Sequence, residues 1–365
     1  MKIAVSLLNL RPGTVGGAET YVRQLLAHLV AAGAGDSIIP VAFRESLSAL
    51  DVSGLAPAVV DRSDRRMVLA RIGEAFSPWR DLGLERQFEA VGADVAFFPQ
   101  QSVCPKAVRG PVVLTVVDVQ HLFFPRNFGL FDRAFRAALY PRSLRRADRV
   151  IAISEFTKRT LVERCGIAPE KIVAIPLGVS PAPVEAAASC PPLPGRYLYY
   201  PAATFPHKNH ETLFRTLTTL RRRGGFDLQL VLTGQRTSRL NRLRRLTREL
   251  GIDSAVHHLG FLPYAEVAQV YLGAEAVVFP SRFEGFGLPV VEAVRFGRKV
   301  ICSRLEVFDE IGVPKRWQID FAQPDALLAA LAMEGPTVLE KPLWTWAEVA
   351  RATLDVLHAT ARRAG

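Results

Sequence analysis

The residues best suited to chemistry lie in the segment Pro280–Ala293, PSRFEGFGLPVVEA. An apolar run before it predicts a strand, and Pro289 favours the first turn of a helix. A helix that begins after a Gly-rich turn attracts phosphate, because its first N–H groups and its dipole face the anion. Glu284 lies in the turn beside that anion, whereas Glu292 lies about one turn into the helix, where its carboxylate can accept hydrogen bonds from ribose hydroxyls. This spacing indicates a nucleotide-sugar site, and the alternative is a turn with two solvated glutamates.

Basic side chains follow two further predicted strands of the same half of the chain. Lys208 lies in YPAATFPHKNH, between a strand with its proline turn and the start of a helix, where a lysine can neutralise a departing diphosphate as a point charge. Gly234 and Arg236 end the next strand in VLTGQR, and Arg236 either reaches phosphate or is solvated. His207 and His210 have no acidic or cysteine partner nearby, so their spacing does not indicate a metal site.

The amino-terminal half contains two weaker candidates. Gly16 and Gly17 follow the first predicted strand and allow the backbone to pass close to a phosphate or a sugar, with a helix expected from Ala18 onward. Asp118 and His121, with Gln120 between them, follow a buried strand, where ligands of α/β folds gather. Asp118 or His121 is a candidate for binding an acceptor hydroxyl or transferring a proton, and the alternative is a satisfied polar loop.

The elements that must position these residues are short apolar runs separated by amphipathic stretches. Such runs are typical of parallel strands covered on both faces, so the sequence predicts an α/β protein with two doubly wound parallel-sheet domains. The predicted strands are Ile3–Leu8, Ile38–Phe43, Val95–Phe98, Val112–Val117, Val150–Ile153 and Ile172–Ile175, then Tyr197–Tyr200, Leu228–Leu232, Val256–Leu259, Ala276–Phe279 and Lys299–Cys302. The proline-rich stretch 181–195 is predicted to link a domain over residues 1–180 to one over residues 196–343.

Composition restricts the partners and the compartment. The formal net charge of +11 over 365 residues indicates an anionic partner or a general abundance of arginine. Nucleic acid is not expected, because no recognition motif accompanies the charge. The four cysteines lie far apart and form no Cys-x-x-Cys pair, and no stretch approaches 18 apolar residues. The amino-terminal run is read as a first strand and not as a signal peptide. A cytoplasmic protein is therefore expected, at the inner face of the membrane if it meets lipid.

Two basic amphipathic stretches are candidates for that contact. The residues 62–76 carry apolar side chains on one side and lie in the half where a lipid-linked acceptor would be met, so a peripheral contact with an anionic membrane is one interpretation. The residues 239–250 place arginines opposite leucines. For both stretches, and more firmly for the second, the favoured interpretation is a surface helix packed on a sheet.

Taken together, the motifs resemble those of the family 4 retaining glycosyltransferases, which have the GT-B architecture. The resemblance covers nearly the whole chain and preserves the order of its segments, which are GGAET, SEFTKR, IPLGV, YPAATFPHKNH, VLTGQR, LGFLPYAEV and FPSRFEGFGLPVVEA. The chain is most similar to the bacterial members that build surface polysaccharides such as lipopolysaccharide, often with mannosyl donors. GDP-mannose is accordingly the first donor to consider.

The resemblance implies two Rossmann-like domains facing a central cleft, with roles for individual residues. Lys208 would hold the diphosphate, Glu284 would contact the donor sugar, and Glu292 would bind the ribose. The backbone N–H groups of Phe286, Gly287 and Leu288 would face the phosphates and sugar, Gly16 and Gly17 would close over the phosphates, and the base would rest against the backbone at 260–262, including Phe261. The residues 344–363 would form a helix that returns to the first domain.

The resemblance also implies the reaction. A hexose would pass from a nucleotide diphosphate sugar to a glycan or lipid-linked acceptor hydroxyl with retention at the anomeric carbon. No cofactor is expected, and no metal ion, because the chain has no Asp-x-Asp motif to hold one. The sequence departs from the family at Val117, where the family usually has a histidine that contacts the donor sugar, and His121 is the candidate for compensating that loss. A basic residue often found shortly before Lys208 is also missing, and Arg236 is the candidate for supplying that charge.

Three other functions remain open at this point. One is a non-catalytic nucleotide-sugar-binding protein, which Val117 motivates, and another is a sugar-nucleotide epimerase on the same two-domain scaffold. The third is a phosphorylase, which needs a lysine for pyridoxal phosphate, although Lys208 is better explained by the donor diphosphate.

Overall fold

The computed structural model describes residues 1–10, 16–47, 50, 55–60, 84–180 and 192–363. The chain divides into two units. The first comprises Met1–Gly178 with Trp344–Gly365, and the second comprises Val179–Leu343. Most of the stretch 181–195, predicted as a linker, lies outside the described residues, and so does the basic stretch 62–76.

The first unit is built on a parallel sheet of seven strands in the order β3-β2-β1-β4-β5-β6-β7. All residues of the fourth and fifth strands are buried, as expected where both sheet faces are covered. The strands are β1 (Lys2–Ser6), β2 (Ser37–Phe43), β3 (Ala58–Val60), β4 (Val95–Phe98), β5 (Val112–Val116), β6 (Arg149–Ala152) and β7 (Ile172–Ala174). The helices are α1 (Gly16–Ala32), α2 (Arg44–Leu47), α3 (Glu85–Glu89), α4 (Gln120–Phe123), α5 (Leu130–Arg146), α6 (Glu155–Cys165) and the carboxyl-terminal α13 (Trp346–Arg362).

The second unit has a parallel sheet of six strands in the order β10-β9-β8-β11-β12-β13. Its strands are β8 (Tyr197–Pro201), β9 (Gln229–Thr233), β10 (Val256–Gly260), β11 (Ala276–Phe279), β12 (Val300–Ser303) and β13 (Gln318–Ile319). Its helices are α7 (His210–Arg223), α8 (Leu240–Leu250), α9 (Tyr264–Gly273), α10 (Leu288–Arg295), α11 (Glu306–Glu310) and α12 (Pro324–Ala332). Every strand pair among the described residues is parallel, which confirms the predicted fold class.

The strand order fixes where each unit can bind a ligand. In the first sheet the chain runs outward from β1 through β2 and β3, and then crosses to β4 on the other side. The second sheet does the same between β8 and β11. Ligands of open α/β sheets bind outside the carboxyl ends of the strands where the order reverses in this way. The loops after β1, β4, β8 and β11 are therefore the first places to look.

The predicted turn at Gly16 and Gly17 is wrong in detail. Both glycines lie in the first turn of α1, which begins at Gly16 and not near Ala18. A Cβ on Gly17 would have no heavy atom within 4 Å, so packing does not require a glycine at this position. The two glycines open α1, the helix that follows β1 at the switch point.

The carboxyl-terminal helix α13 completes the core of the first unit. Its capping box at Thr345 and Glu348 fixes the helix start, and Trp346 is buried against Tyr21 of α1 with ring centroids 6.2 Å apart. The backbone of Gly178 passes so close that an added Cβ would lie 2.6 Å from the Trp346 nitrogen. Gly178, the glycine of the IPLGV segment, therefore allows α13 to pack closely against the backbone at this point.

The basic stretch at 239–250 forms the helix α8 and packs as predicted. Its residues Leu240 and Leu243 are buried, whereas Arg242 and Arg245 lie toward solvent and line a groove of about 260 Å³ with Glu211 of α7. Arg242 forms an ion pair with Glu211 at 3.3 Å, so part of the positive charge is already neutralised.

Candidate active site

Two of the predicted site residues meet at the switch point of the second unit. The Lys208 ammonium donates hydrogen bonds to both carboxylate oxygens of Glu284, at 2.7 and 2.8 Å. Lys208 follows β8 and Glu284 follows β11, the two strands between which the order reverses. The pair is mostly buried, with side-chain exposures of 17% and 9%. Two charged groups 76 positions apart are thus fixed against each other at the place where a ligand is expected.

The turn that carries Lys208 is held to the loop after β11 by the backbone and by three polar side chains. Tyr200 Oη donates to the Lys208 carbonyl at 2.6 Å and lies 3.1 Å from Ser281 Oγ. Asn209 adopts the left-handed conformation, with φ of 59°, and its Nδ2 donates to the Pro280 carbonyl at 3.0 Å. The Arg282 N–H donates to the His207 carbonyl at 2.8 Å. The ammonium is therefore positioned by a preorganised frame.

The helix α10 begins at this loop, as predicted. Gly287 precedes it with φ of 97°, and an added Cβ would lie 2.6 Å from Phe308 Cε1. Phe286 and Leu288 bury their side chains, so only their backbone groups are suited to contact a ligand. Pro289 has no N–H group, and the Val290 N–H already donates to the Gly287 carbonyl. The N–H groups of residues 286–288 are therefore the ones at this helix terminus that can bind an anion.

Glu292 lies one turn into α10 and is partly buried. Its carboxylate accepts a hydrogen bond from Tyr271 Oη at 3.1 Å, and Tyr271 is itself fully buried. Burial raises the pKa of Glu292 from its ordinary value of 4.5 to about 7, while the bond from Tyr271 opposes that rise. A carboxyl group in this state can both accept and donate hydrogen bonds near neutral pH, which suits it to the hydroxyls of a ribose.

The raised pKa of Glu292 makes a prediction about stability. Between pH 4.5 and about 7 the folded chain holds this proton and the unfolded chain releases it, so this carboxyl makes the free energy of unfolding fall as pH rises. The variant Glu292→Gln has no proton to release. Relative to wild type its melting temperature is expected to rise steadily between pH 5 and pH 8, as circular dichroism would measure. All other titrating groups are common to both proteins, and parallel curves would contradict the prediction.

Arg236 lies beside the loop after β10. Gly234 has φ of 117°, and a Cβ there would lie 2.9 Å from the Ala202 and Ala203 backbone, so the loops after β8 and β9 touch at this glycine. An added Cβ on Gly260 would lie 3.1 Å from a guanidinium nitrogen of Arg236. Phe261 exposes 74% of its side chain next to this point. The structure therefore places Gly234, Arg236 and Phe261 at neighbouring strand ends.

Two histidines of the second unit, His207 and His210, are neutral side chains with structural contacts. Burial, reinforced by nearby positive charge, lowers the pKa of His207 and of His210 to about 3. His207 stacks on Phe205 and His210 lies against Tyr200, with ring centroids 5.8 and 4.8 Å apart. Among the described residues, no three His, Cys, Asp or Glu side chains form a group that could hold a metal ion.

The candidate loop of the first unit is fastened by a residue that the sequence did not single out. Gln101, with φ of 46°, follows β4, and its Oε1 accepts hydrogen bonds from the N–H groups of Val117 and Asp118 at 2.7 and 3.2 Å. Its Nε2 donates to the Asp118 carbonyl at 2.6 Å. The Asp118 carboxylate in turn accepts a hydrogen bond from the Gln120 N–H. Position alone would have suggested Gln101, because it lies just past the strand beside the first switch point.

His121 does not have the character of a base at neutral pH. It lies in α4, partly buried, with its ring edge on Tyr140 at a centroid distance of 5.1 Å. Burial and the nearby Arg136 lower its pKa to about 4. The imidazole is therefore neutral at pH 7 and a weak base. This argues against the predicted role in proton transfer but leaves His121 able to form hydrogen bonds with a ligand.

The fold and the site together define the class of protein. Two doubly wound parallel-sheet units, with a lysine–carboxylate pair and a helix amino terminus at one switch point, form a GT-B scaffold with a candidate nucleotide-sugar site. The fold is shared with a solved structure, Anabaena Alr3699/HepE in complex with UDP and glucose. That structure has a TM-score of 0.63 and 15% identity, and the match covers 98% of this chain and 100% of that one.

The sequence comparisons give the family. The model described as Glycosyltransferase Family 4 matches residues 15–182, and the model described as Glycosyl transferases group 1 matches residues 189–333. The chain thus combines a Glycosyltransferase Family 4 domain with a Glycosyl transferases group 1 domain.

Two bacterial relatives are each about a quarter identical to the chain. The O-antigen chain mannosyltransferase B of Escherichia coli is 26% identical over 177 residues, which are 46% of each protein. The O-antigen chain mannosyltransferase RfbU of Salmonella typhimurium is 25% identical over 198 residues, 54% of this chain and 53% of RfbU. The chain thus spans about half the length of these relatives. Within the part of the chain that the structure describes, no helix has the length and apolar character needed to cross a membrane.

Proposed function

We propose that this protein transfers a hexose from a nucleotide diphosphate sugar to a hydroxyl of a glycan or lipid-linked acceptor. The observation that carries the proposal is the Lys208–Glu284 pair, which lies at the switch point of the second unit, with the first residue of α10 four residues after Glu284. A fixed cation and backbone N–H groups are what a departing diphosphate requires, because negative charge develops on its oxygens as the glycosidic bond breaks.

The reaction proceeds with retention and without a side-chain nucleophile. Both oxygens of Glu284 accept hydrogen bonds from Lys208, which weakens this carboxylate as an attacking group. The acceptor oxygen instead bonds to the anomeric carbon on the face from which the diphosphate leaves. The bond from that carbon to the phosphate oxygen breaks, and the acceptor proton passes to the phosphate. Lys208 supplies the positive charge at this step, and no metal ion or other cofactor takes part.

Roles for the remaining candidates follow from their positions. Glu292 binds the ribose, the N–H groups of Phe286, Gly287 and Leu288 bind the phosphates, and Arg236 adds positive charge where the base and phosphates meet. Asp118 and neutral His121, held with the Gln101 loop, contact the acceptor or the sugar by hydrogen bonds. In this arrangement His121 compensates for Val117 as a hydrogen-bonding group and not as a base.

Mannose is the proposed sugar and surface polysaccharide the proposed product, because the relatives are named as O-antigen chain mannosyltransferases. A lipid-linked acceptor of this kind places the reaction at the inner face of the cytoplasmic membrane.

A thermal-shift titration with GDP, UDP, GDP-mannose and UDP-glucose tests the donor site. A ligand at 100 times its dissociation constant adds about 2.7 kcal/mol of stability, which is a readily measured rise in melting temperature. We expect a shift with GDP and GDP-mannose that Glu292→Ala weakens. The matched control Glu249→Ala, at an exposed position of α8, should retain the full shift. Absence of a shift with all four ligands in folded protein would contradict the proposal.

Turnover separates catalysis from binding alone. Release of the nucleoside diphosphate from the bound sugar donor, measured with and without added acceptor, is expected for the transferase. Tight binding with no release on any acceptor would instead favour a non-catalytic nucleotide-sugar-binding protein, the alternative that Val117 motivates.

A further inference from the structure

The helix α5 of the first unit exposes its apolar side to solvent. Leu130, Ala134, Ala137 and Pro141 follow one another along a single row of the helix surface, and all four are exposed, Leu130 at 81%. In the adjacent row Phe131 is 52% exposed, and its ring stacks on Phe135 with centroids 6.4 Å apart. We call the exposed residues Leu130, Phe131, Ala134, Ala137 and Pro141 the α5 apolar face.

This arrangement reverses the usual one, because a surface helix normally buries its apolar row and exposes charges. The buried side of α5 consists of Leu139, Ser143 and Leu144 near its carboxyl-terminal end. The exposed apolar row therefore does not serve the core of the unit. Contiguous exposed apolar surface of this kind is typical of an interaction site.

The charges around the α5 apolar face are almost all positive. The residues 125–146 contain six arginines and a single acidic residue, Asp132. Arg126, Arg133 and Arg142 are exposed, and they lie before, beside and after the apolar row. A second copy of this chain on the same face would bring like charges together. An anionic lipid surface complements both the charge and the apolar row.

We propose that the α5 apolar face is a membrane-docking surface that lies in the headgroup region of an anionic bilayer. Leu130 and Phe131 enter the boundary with the acyl chains, and the flanking arginines contact lipid phosphates. From Leu130 to Pro141 the helix extends about 16 Å, enough to lie along the interface but too short to cross it. This face is distinct from the stretch 62–76 that the sequence suggested.

The docking surface adjoins the loop that carries the first-unit candidates. Tyr140 of α5 packs against His121, and Arg136 donates to Tyr140 Oη at 2.7 Å while its guanidinium lies 4.6 Å from the Phe128 ring centroid. Docking through α5 would therefore bring the Asp118–His121 loop close to the lipid surface, where a lipid-linked acceptor would be presented.

Sedimentation with lipid vesicles tests the proposal. Wild-type protein should bind vesicles of phosphatidylcholine with phosphatidylglycerol and should bind pure phosphatidylcholine vesicles much less, with binding reduced by added salt. Leu130→Ser combined with Phe131→Ser should lower the affinity about tenfold or more, because two large apolar side chains no longer enter the bilayer. Arg126→Ala combined with Arg133→Ala should lower it about fivefold for each arginine removed.

The matched control is Leu328→Ser with Val338→Ser in the second unit, where both positions are also exposed. That variant should bind vesicles like wild type. Equal binding by wild type and by the Leu130–Phe131 variant would overturn the proposal. So would concentration-dependent self-association that the same variant abolishes, since it would assign the face to a second copy. Vesicle binding requires no glycosyl transfer, so either proposal can fail while the other stands.

Discussion

Replacing Lys208 with alanine is expected to lower kcat/KM for the sugar donor by about a hundredfold to a thousandfold. That range is typical when one preorganised group that stabilises developing negative charge is removed, and here the group is a full cation held at 2.7 Å from its carboxylate partner. The loss should appear mainly in kcat, because the charge on the diphosphate oxygens grows as the glycosidic bond breaks. The steady-state rate of nucleoside diphosphate release, followed at several donor concentrations, measures both kcat and kcat/KM. The control Lys315→Ala removes a more exposed lysine of the same unit and should leave kcat/KM unchanged.

A purely structural role for the pair predicts something different. Lys208→Ala leaves the Glu284 carboxylate mostly buried without its partner, so this variant should also lose stability. Adding Glu284→Gln removes the uncompensated charge, and the melting temperature should recover in the double variant while activity stays low. Recovery of both stability and activity in the double variant would show that the pair only holds two loops together.

Replacing Gly287 with alanine is expected to destabilise the second unit by about 2–5 kcal/mol. About 1–2 kcal/mol of this comes from forcing a side chain into the left-handed conformation at φ of 97°. Overlap of the new Cβ with the buried Phe308 ring, 2.6 Å away, adds about 1–3 kcal/mol. Because the glycine immediately precedes α10, the nucleotide-dependent thermal shift should weaken as well.

Gly297 provides a matched control for this prediction. It follows the other end of α10 with φ of 65°, and an added Cβ there has no heavy atom within 4 Å. Gly297→Ala should therefore cost only the conformational part, about 1–2 kcal/mol, and should leave nucleotide binding intact. If the two variants have the same melting temperature, overlap with Phe308 contributes nothing to the loss of stability.

The positions of the strands along the chain were largely readable from the sequence because each buried parallel strand is a short apolar run bounded by turn residues. Two strands were missed, Ala58–Val60 and Gln318–Ile319, and both are too short to produce such a run. The start of α1 was placed two residues late, because two consecutive glycines resemble a turn although here they form the first helical turn.

The individual residues of the candidate site could be predicted from the sequence, but their arrangement in space could not. Lys208 and Glu284 were each recognisable from the strand before them, yet their contact depends on β8 and β11 being neighbours, which no local pattern reveals. The residues that hold the site, among them Tyr200, Tyr271 and Phe308, look like ordinary core aromatics in the sequence. Gln101 was recognisable only by its position just after β4, because its hydrogen bonds to the Val117 and Asp118 backbone depend on the neighbouring strand β5.

The first unit is assembled from two separate parts of the chain, since residues 344–365 pack with residues 1–178, while the second unit is one continuous stretch. During synthesis the second unit therefore has its whole sequence available before α13 emerges from the ribosome. The first unit, although its sheet is made first, lacks the helix that packs against α1 until α13, with Trp346, has been made. The order of completion is thus the reverse of the order of synthesis, and the nascent first unit is the stage at which a chaperone would find exposed apolar surface.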